Sequence, residues 1–495
     1  MAALLVLFLA ALFSVATTWL ARRCAIAFGL IEHADHHRKM PLQPVAVVGG
    51  VALVAAILPA LACAALLRDD VAEALRAVQG RAIWLFIGII IIVAVGVLDD
   101  LQNLRARYKL MGQFAASTVL ILGGGYQIQF ISLFDIPIPL GNLAFPISLL
   151  WFLAIINAMN LLDGMDGMLG SVGVIVFGSL VLMAIATGHL FAVVVAAAMA
   201  GALVGFLRFN LPPATVYLGD SGSMMIGLVI AAVSIHASIK GPAFVVLVPM
   251  GLLVLPIMDT AAAILRRKLT GRGLAIPDHG HLHHMLQKQG LTVRRVLAVV
   301  LGLGLLASVG AVSSTWLQND SIAIAMAGGI VLILIAAGLF GSVEYQLLRQ
   351  RAITVLRSAR GSASNVETEV RLQGHADWSA VWSYITFTAE KLKLDSVCLD
   401  VNAPIWHEGY LRRWVRSGRA MPEINGWNVQ MPLFVHGLII GHLTICGHRT
   451  PQQLAIPLGD IAELILQIEL LTALMVPDAS LTQPSDAASP FTKSI

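Results

Sequence analysis

Apolar runs of about twenty residues, separated by short polar breaks, fill the first two thirds of the chain. Eleven such runs stand at roughly 2–21, 45–67, 82–98, 110–126, 144–160, 168–187, 189–207, 221–238, 243–264, 295–316 and 321–340. A helix of this length and composition crosses the hydrocarbon core of a bilayer, where each backbone polar group must find its partner within the chain. The pattern therefore predicts an all-α polytopic membrane protein with about eleven transmembrane helices. The first run lacks the basic n-region of a signal peptide and reads as a span.

After Gly341 the periodicity changes. Residues 343–357 read as a helix, 358–376 as a polar linker, 377–394 as a helix, 396–401 (SVCLDV) as a strand and 409–417 as a helix. Strands follow at 428–435 and 438–446, joined by His436-Gly437, a hairpin signal. An amphipathic helix at 451–474 precedes a tail rich in Pro and Ser. The predicted organisation is a transmembrane domain over 1–340, a helix and linker over 341–376, a small C-terminal α+β cytoplasmic domain over 377–476, and a disordered tail over 477–495.

Composition agrees. Of 495 residues, 58% are apolar and 12% charged, against about 45–50% and about 25% in soluble domains. A soluble globule, a disordered chain, collagen and a coiled coil are excluded. Residues 1–340 hold 19 Lys/Arg and 14 Asp/Glu, whereas the much shorter remainder holds 13 and 14, which places the boundary near Gly341. The four cysteines (Cys24, Cys63, Cys398, Cys446) have no CxxC spacing, so no disulfide framework or cysteine metal site is indicated. A net charge of +4 gives no reason to expect nucleic acid. The basic residues follow topology instead. Alternate loops carry 15 of them, and the opposite loops only Arg68, Arg76, Arg81 and Lys240. The positive-inside rule puts the N-terminus outside and the C-terminal region in the cytoplasm.

Acids beside apolar helices need an explanation. Asp69, Asp70, Glu73, Asp135 and Asp320 fall in outer loops; the other nine before Gly341 lie on the cytoplasmic side, mostly at helix ends. Asp99 and Asp100 close VGVLDD. Asn157, Asn160, Asp163 and Asp166 stand in NAMNLLDGMDG. Asp220 opens a helix in YLGDSGS, Asp259 lies in PIMDT, and Asp278 begins PDHGHLHH. A one-sided ring of this kind reads as an active site at the membrane boundary. A transporter calls for ionisable groups near the midplane on broken helices, and none is seen.

Each motif has its own chemistry. Adjacent carboxylates on a helix do not share a face, so one of Asp99 and Asp100 can hold a cation while the other accepts a proton. Mg2+ suits one or two carboxylates plus a substrate phosphate. Arg107 and Lys109 follow as candidate phosphate partners. Asn157 and Asn160 lie one turn apart, and Gly164 and Gly167 permit close backbone approach to a ligand. The acids do not have EF-hand spacing. The helix start at Asp220 offers N–H groups to an anion, with Asp220 beside it for a metal; an ordinary N-cap by Asp220 or Ser221 fits the same letters. His281, His283 and His284 do not have zinc-site spacing and suit contacts to a diphosphate. His33, His36, His37, Arg38 and Lys39 form a second basic cluster. Asp259 precedes Arg266 by two helical turns and is read as its structural partner.

Together, VGVLDD, NAMNLLDGMDG, YLGDSGS, PIMD with Arg266-Arg267, and PDHGHLHH resemble the polyprenyl-phosphate N-acetylhexosamine-1-phosphate transferases over about residues 1–340. The HLHH form is similar to the undecaprenyl-phosphate N-acetylglucosaminyl 1-phosphate transferase branch, rather than the muramoyl-pentapeptide branch with three consecutive histidines. The resemblance implies ten or eleven spans in a bacterial inner (cytoplasmic) membrane and a Mg2+-dependent site, with Mn2+ as a substitute. It implies transfer of a sugar-1-phosphate from a UDP-N-acetylhexosamine to undecaprenyl phosphate, with release of UMP, at the start of a cell-surface glycan. Asp220, with Asp99 or Asp100, is expected to hold the metal; Asp99, Asp100, Asp163 and Asp166 are the catalytic candidates. Lys39, Arg107, Lys109, Asn157, Asn160, His281, His283 and His284 are the substrate-binding candidates. The chain departs from the family pattern at Met40-Pro41 after Arg38-Lys39, at Asn103 in place of a third acid, and at His279 where an Arg commonly stands. These positions bear on the sugar. The C-terminal domain is weakly similar to GAF-like sensor domains and carries no catalytic constellation; regulation, homodimerisation or docking of a regulator is expected of it. Other readings are a transferase for another UDP-hexosamine, or a membrane sensor or scaffold with an inactive transferase-like core.

Overall fold

The computed structural model describes residues 1–29, 31–32, 45–133, 136–237, 247–270, 280–341, 344–345, 348–349, 366–373, 376–403, 408–416, 426–435, 438–448 and 458–475. It divides into two units. One comprises Met1–Leu265 with Leu274–Phe340, the other Arg266–Gly273 with Gly341–Ile495.

The first unit is mostly helical. Its elements run α1 (Ala2–Phe28), β1 (Ile31–Glu32), β2 (Val45–Val47), α2 (Gly49–Leu67), α3 (Asp69–Ala77), α4 (Gln79–Gln102) and α5 (Ala106–Leu122). A small antiparallel hairpin follows, β3 (Phe130–Leu133) with β4 (Ile136–Pro139). Then come α6 (Ala144–Leu162), α7 (Met168–Thr187), α8 (Leu190–Asn210), β5 (Val216–Tyr217) and α9 (Gly219–Ala237). The series ends with α10 (Leu247–Leu252), α11 (Val254–Thr270, whose residues from Arg266 on belong to the second unit), α12 (Leu282–Lys288), α13 (Val293–Leu317) and α14 (Asp320–Ala336).

Among the described residues, eight helices are long and apolar enough to cross a membrane: α1, α2, α4, α6, α7, α8, α9 and α13. The other three expected spans coincide with shorter helices. These are α5, the broken pair α10 and α11, and α14. α9 is the central helix. Ninety-four per cent of its apolar stretch is buried, against 22% for α1, although its mean hydropathy is the lowest of the eight at 1.4. Burial by neighbouring helices, rather than by lipid, lets α9 carry polar groups at its end.

Small residues set the helix spacing. Gly201 and Gly205 of α8 lie against the carbonyl oxygens of Leu7 and Ala11 of α1, at distances that leave no room for a Cβ. Ser14 donates to the Ala202 carbonyl at 2.6 Å, and Thr17 to the Ala52 carbonyl at 2.9 Å. Lipid supplies no hydrophobic drive between helices, so association rests on such close packing and interhelical hydrogen bonds.

In the second unit, a five-stranded antiparallel sheet has the order β6-β8-β7-β10-β9. The strands are β6 (Val366–Gln373), β7 (Ser396–Ala403), β8 (Glu408–Val415), β9 (Gly426–Val435) and β10 (Leu438–His448). Helices α15 (Ser379–Lys391) and α16 (Leu458–Met475) complete it. Trp378, Trp382, Tyr410, Trp414, Leu443, Leu464 and Ile468 share its core.

Two expectations fail here. The linker at 358–376 contains strand β6, and the helix at 409–417 is strand β8. β8 sits between β6 and β7, with Leu411 opposite Val370 and Asp400. Its residues Tyr410-Leu411-Arg412-Arg413-Trp414-Val415 do not alternate apolar with polar, so no two-residue period marks the strand along the chain. The hairpin residues His436-Gly437, most of the helix at 343–357 and the tail 477–495 lie outside the described residues; strands β9 and β10 pair as expected. Arg266 pairs with the buried Glu344 at 2.6 Å, and Glu344 also accepts from the Gly341 N–H at 3.0 Å. Arg266 is thus paired with Glu344 rather than with Asp259.

Candidate active site

The site is built around the start of α9. β2 and β5 pair in parallel, Ala46 with Val216 and Val47 with Tyr217. This lays the Gly49-Gly50 turn of α2 beside the segment that enters α9. Gly219 adopts φ 67, a left-handed conformation, and a Cβ there would come 2.7 Å from Asp100 Oδ2. Only glycine satisfies both demands. Asp100 accepts from the Asp220 N–H at 2.7 Å and from the Ser221 N–H at 3.3 Å. The first N–H groups of a helix have no internal acceptor, and a carboxylate there is favoured by the helix dipole. Neither Asp220 nor Ser221 is the cap; Asp100, from another helix, supplies it.

Backbones meet at this point. A Cβ on Gly96 of α4 would stand 2.3 Å from Ser221 Cα, and one on Gly50 would stand 2.5 Å from the Ser221 carbonyl carbon. α4 therefore touches α9 directly one turn before its aspartates.

The adjacent carboxylates have different partners. Asp99 is buried. Its Oδ1 accepts from the Leu104 N–H at 2.9 Å, and its Oδ2 pairs with Lys109 Nζ at 2.6 Å. The same Lys109 ammonium pairs with Asp220 Oδ2. Asn160 of α6 donates to Asp220 Oδ1 at 2.6 Å and to Ser223 Oγ at 2.9 Å. Four helices (α4, α5, α6 and α9) thus bring Asp99, Lys109, Asn160 and Asp220 together. Asn103 ends α4 at φ 49, and its N–H bonds the Asp99 carbonyl at 2.8 Å. Asn is among the residues that tolerate this left-handed cap, which gives that position a local structural role.

The remaining residues form a second tier. Asn157 donates to Gln113 Oε1 at 2.7 Å and to the Leu153 carbonyl at 2.7 Å, and it accepts from Gln113 Nε2 at 3.3 Å. Asn157, expected on substrate, here makes a part-buried interhelical amide pair with Gln113. Asp166 accepts from the Ala214 N–H at 3.0 Å and so ties the α6–α7 loop to the segment before β5. Asp163 keeps part of its surface accessible but sits deep in that loop. Burial first, then the carboxylates of Asp220, Asp100 and Asp166, push it up to about 8. Both causes disfavour its charged form.

Asp259 is buried and holds the start of α12. Its Oδ2 lies 2.9 Å from His281 Nδ1, and its Oδ1 accepts from the Leu282 N–H at 2.9 Å. The expected Asp259–Arg266 pair is replaced by this one. A carboxylate on Nδ1 fixes the ring's orientation. His283 lies parallel to His281 at 6.0 Å between centroids, and His284 is 4.1 Å from His283. The His283 ring also covers Gly164; a Cβ there would come 2.6 Å from Nε2 and Cε1. Gly164→Ala is expected to swing His283 off the loop. Turnover should fall by about tenfold or more while the melting temperature stays near wild type, since the displaced atoms end a rotatable side chain. A detergent activity assay with a thermal melt checks both.

Arg107 stands apart, exposed, with its guanidinium 4.7 Å from the Tyr108 ring centroid. Lys39, Asp278, His279 and the His33–Arg38 cluster lie outside the described residues. The sequence reading missed Gln113, Gly49, Gly50 and Gly96. A glutamine inside an apolar run, one turn after Lys109, was the available signal.

Among the described residues no three His, Cys, Asp or Glu groups converge as a ready metal cage. The donor set nevertheless fits Mg2+. Oδ2 atoms of Asp99 and Asp220, from different helices, already face one cationic group, and hard oxygens in twos suit an ion that takes its other ligands from phosphate and water.

Comparison with known proteins agrees with this geometry. A Glycosyl transferase family 4 domain matches residues 82–238, which include Asp99, Lys109, Asn160 and Asp220. The chain is 28% identical over 311 residues to the "Probable undecaprenyl-phosphate N-acetylglucosaminyl 1-phosphate transferase" of Bacillus subtilis (strain 168), covering 61% of this chain and 83% of that one. It is 33% identical over 346 residues to the "Decaprenyl-phosphate N-acetylglucosaminephosphotransferase" of Mycolicibacterium smegmatis, covering 65% and 84%. It is 36% identical over 160 residues to the "Phospho-N-acetylmuramoyl-pentapeptide-transferase" of Clostridium kluyveri, covering 32% and 49%. With 84% of the Mycolicibacterium smegmatis enzyme matched at 33% identity, and Asp99 and Asp220 brought together with Lys109 and Asn160 from four helices, the chain belongs to the polyprenyl-phosphate N-acetylhexosamine-1-phosphate transferase family.

Proposed function

We propose that this protein transfers N-acetylglucosamine-1-phosphate from UDP-N-acetylglucosamine to undecaprenyl phosphate, releasing UMP. The observation that carries the proposal is the convergence of Asp99, Lys109, Asn160 and Asp220 at the ends of four apolar helices. One substrate is a lipid and the other a water-soluble nucleotide, so the reacting groups must meet where helices end. The long coverage of relatives named for N-acetylglucosamine, against the shorter match to a muramoyl-pentapeptide enzyme, favours the glucosamine donor.

In the proposed reaction an oxygen of the carrier phosphate attacks the β-phosphorus of the UDP-sugar. The bond from that phosphorus to the bridging oxygen breaks, and UMP leaves with the electron pair. Phosphoryl transfer is mostly positioning and charge neutralisation. Asp99 and Asp220 would hold Mg2+, which when bound offsets the charge of the diphosphate. Asn160 orients Asp220, and Asp100 fixes the helix start on which Asp220 sits. Lys109 and Lys39 are proposed as the cationic partners of phosphate. His281, His283 and His284 line the approach of the sugar diphosphate, with His281 held by Asp259. The carrier phosphate is already largely ionised at pH 7, so attack needs no base.

The proposed setting is a bacterial inner membrane crossed eleven times, α5, α10–α11 and α14 supplying the three shorter crossings. The N-terminus is then outside, with the site and the C-terminal unit cytoplasmic. That unit is proposed to regulate the enzyme or mediate assembly, as a GAF-like sensor fold would.

The test is transfer of radiolabel from UDP-N-acetylglucosamine to undecaprenyl phosphate in detergent, with and without Mg2+. Mg2+-dependent lipid product and UMP are expected. Product only with another UDP-hexosamine changes the sugar. No product with any UDP-sugar overturns the proposal and leaves the sensor or scaffold reading.

A further inference from the structure

Lys109 occupies an unusual place for a phosphate-binding lysine. Its ammonium lies between Oδ2 of Asp99, at 2.6 Å, and Oδ2 of Asp220, two carboxylates from different helices. The other oxygen of each carboxylate is committed, Asp99 Oδ1 to the Leu104 N–H and Asp220 Oδ1 to Asn160. Only the two Oδ2 atoms remain for a cation, and Lys109 holds both. The lysine is roughly three quarters covered while its stem runs along α5. A single ammonium between two carboxylates leaves the trio one negative charge, which still attracts a divalent ion.

We propose that Lys109 is an internal stand-in for the divalent cation: its ammonium keeps the Asp99–Asp220 seat assembled, leaves it when the divalent ion binds, and is thereby released to a substrate phosphate. The two cations compete for the same oxygens, because an ammonium and a divalent ion at one position repel strongly in a part-buried site. Release also has a direction. Lys109 is the only basic side chain among the described residues paired with these carboxylates, and α5 is anchored one turn on by the Gln113–Asn157 amide pair. The stem can swing while the helix stays. The device imposes an order in which cation binding precedes productive phosphate binding, since only then does Lys109 have donors to offer.

The inference rests on the cation-dependent reading above, and its test separates the two. Purified full-length protein in detergent is titrated with Mn2+ without substrate, and unbound Mn2+ is read by electron paramagnetic resonance. Lys109→Met is expected to bind Mn2+ at least about tenfold more tightly than wild type, because the competitor is gone. Lys109→Arg, which keeps a cation, is expected to stay at or below wild-type affinity. Asp220→Asn is expected to lose the site. Equal or weaker binding by Lys109→Met overturns the stand-in role. Binding retained in Asp220→Asn overturns the cation reading itself. A second measurement needs no variant: acetylation of Lys109 in wild type, read by peptide mass spectrometry, should rise several-fold on adding Mg2+. Unchanged labelling overturns the proposal.

Discussion

Asp220→Asn is expected to reduce the proposed transfer by about a hundredfold to a thousandfold, the scale on which removal of a charge-stabilising group acts. The substitution is nearly isosteric. The introduced amide would still accept from Asn160 through its carbonyl oxygen, so the helix start should survive. The second anionic oxygen, which now faces Lys109 together with Asp99, would be lost. No other described carboxylate shares that position, since both oxygens of Asp100 bond N–H groups of α9. The fair control is Asp70→Asn. Asp70 lies past the far end of α2 from Gly50, is exposed, and pairs with Arg68 at 2.7 Å. Exposed pairs contribute little, so its activity should match wild type. Radiolabel transfer with both variants checks the pair; retained activity in Asp220→Asn removes Asp220 from the chemistry.

Gly96→Ala is the second large effect. The added methyl would lie 2.3 Å from Ser221 Cα and 2.9 Å from the Asp220 carbonyl carbon. Backbone atoms cannot rotate away, so α4 and the start of α9 must separate. Overpacking of this kind costs about 1–3 kcal/mol in stability. The effect on turnover should be larger, about a hundredfold or more, because separation pulls Asp99 and Asp100 from Asp220, and misplacement by about 1 Å can cost that much. Gly302→Ala, on α13 with open space around it, should be neutral in both respects. A melt in detergent and a transfer assay on the two variants decide the point. Equal behaviour would mean that α4 and α9 do not meet as described.

The same contrast runs through the molecule. The helical transmembrane architecture was legible because lipid imposes a single requirement, about twenty apolar residues with internal backbone bonding. That Asp99, Asp163, Asp220 and Asp259 needed an explanation was legible because acids beside apolar helices are costly and need a cause. Strand β8 was not legible because Tyr410-Leu411-Arg412-Arg413-Trp414-Val415 lacks a two-residue period; its place between β6 and β7 is set by pairing with strands distant in sequence.

Within the site, residue types were readable but partnerships were not. The letters Asp-Asp are the same whether the first or the second carboxylate faces the cation. Only the placement of α9 against α4 makes Asp100 a helix cap and turns Asp99 toward Lys109. Asn157 and Asn160 look equivalent along the chain. A turn of helix sends one to Gln113 and the other to Asp220. Asp259 could have met Arg266 on its own helix, yet it holds His281 from a segment more than twenty residues on. Local sequence encodes the period, the polarity and the chemistry of each segment. Which side chains meet depends on contacts between helices distant in sequence, and those are set by the packing of small residues such as Gly50, Gly96 and Gly219 rather than by any local propensity.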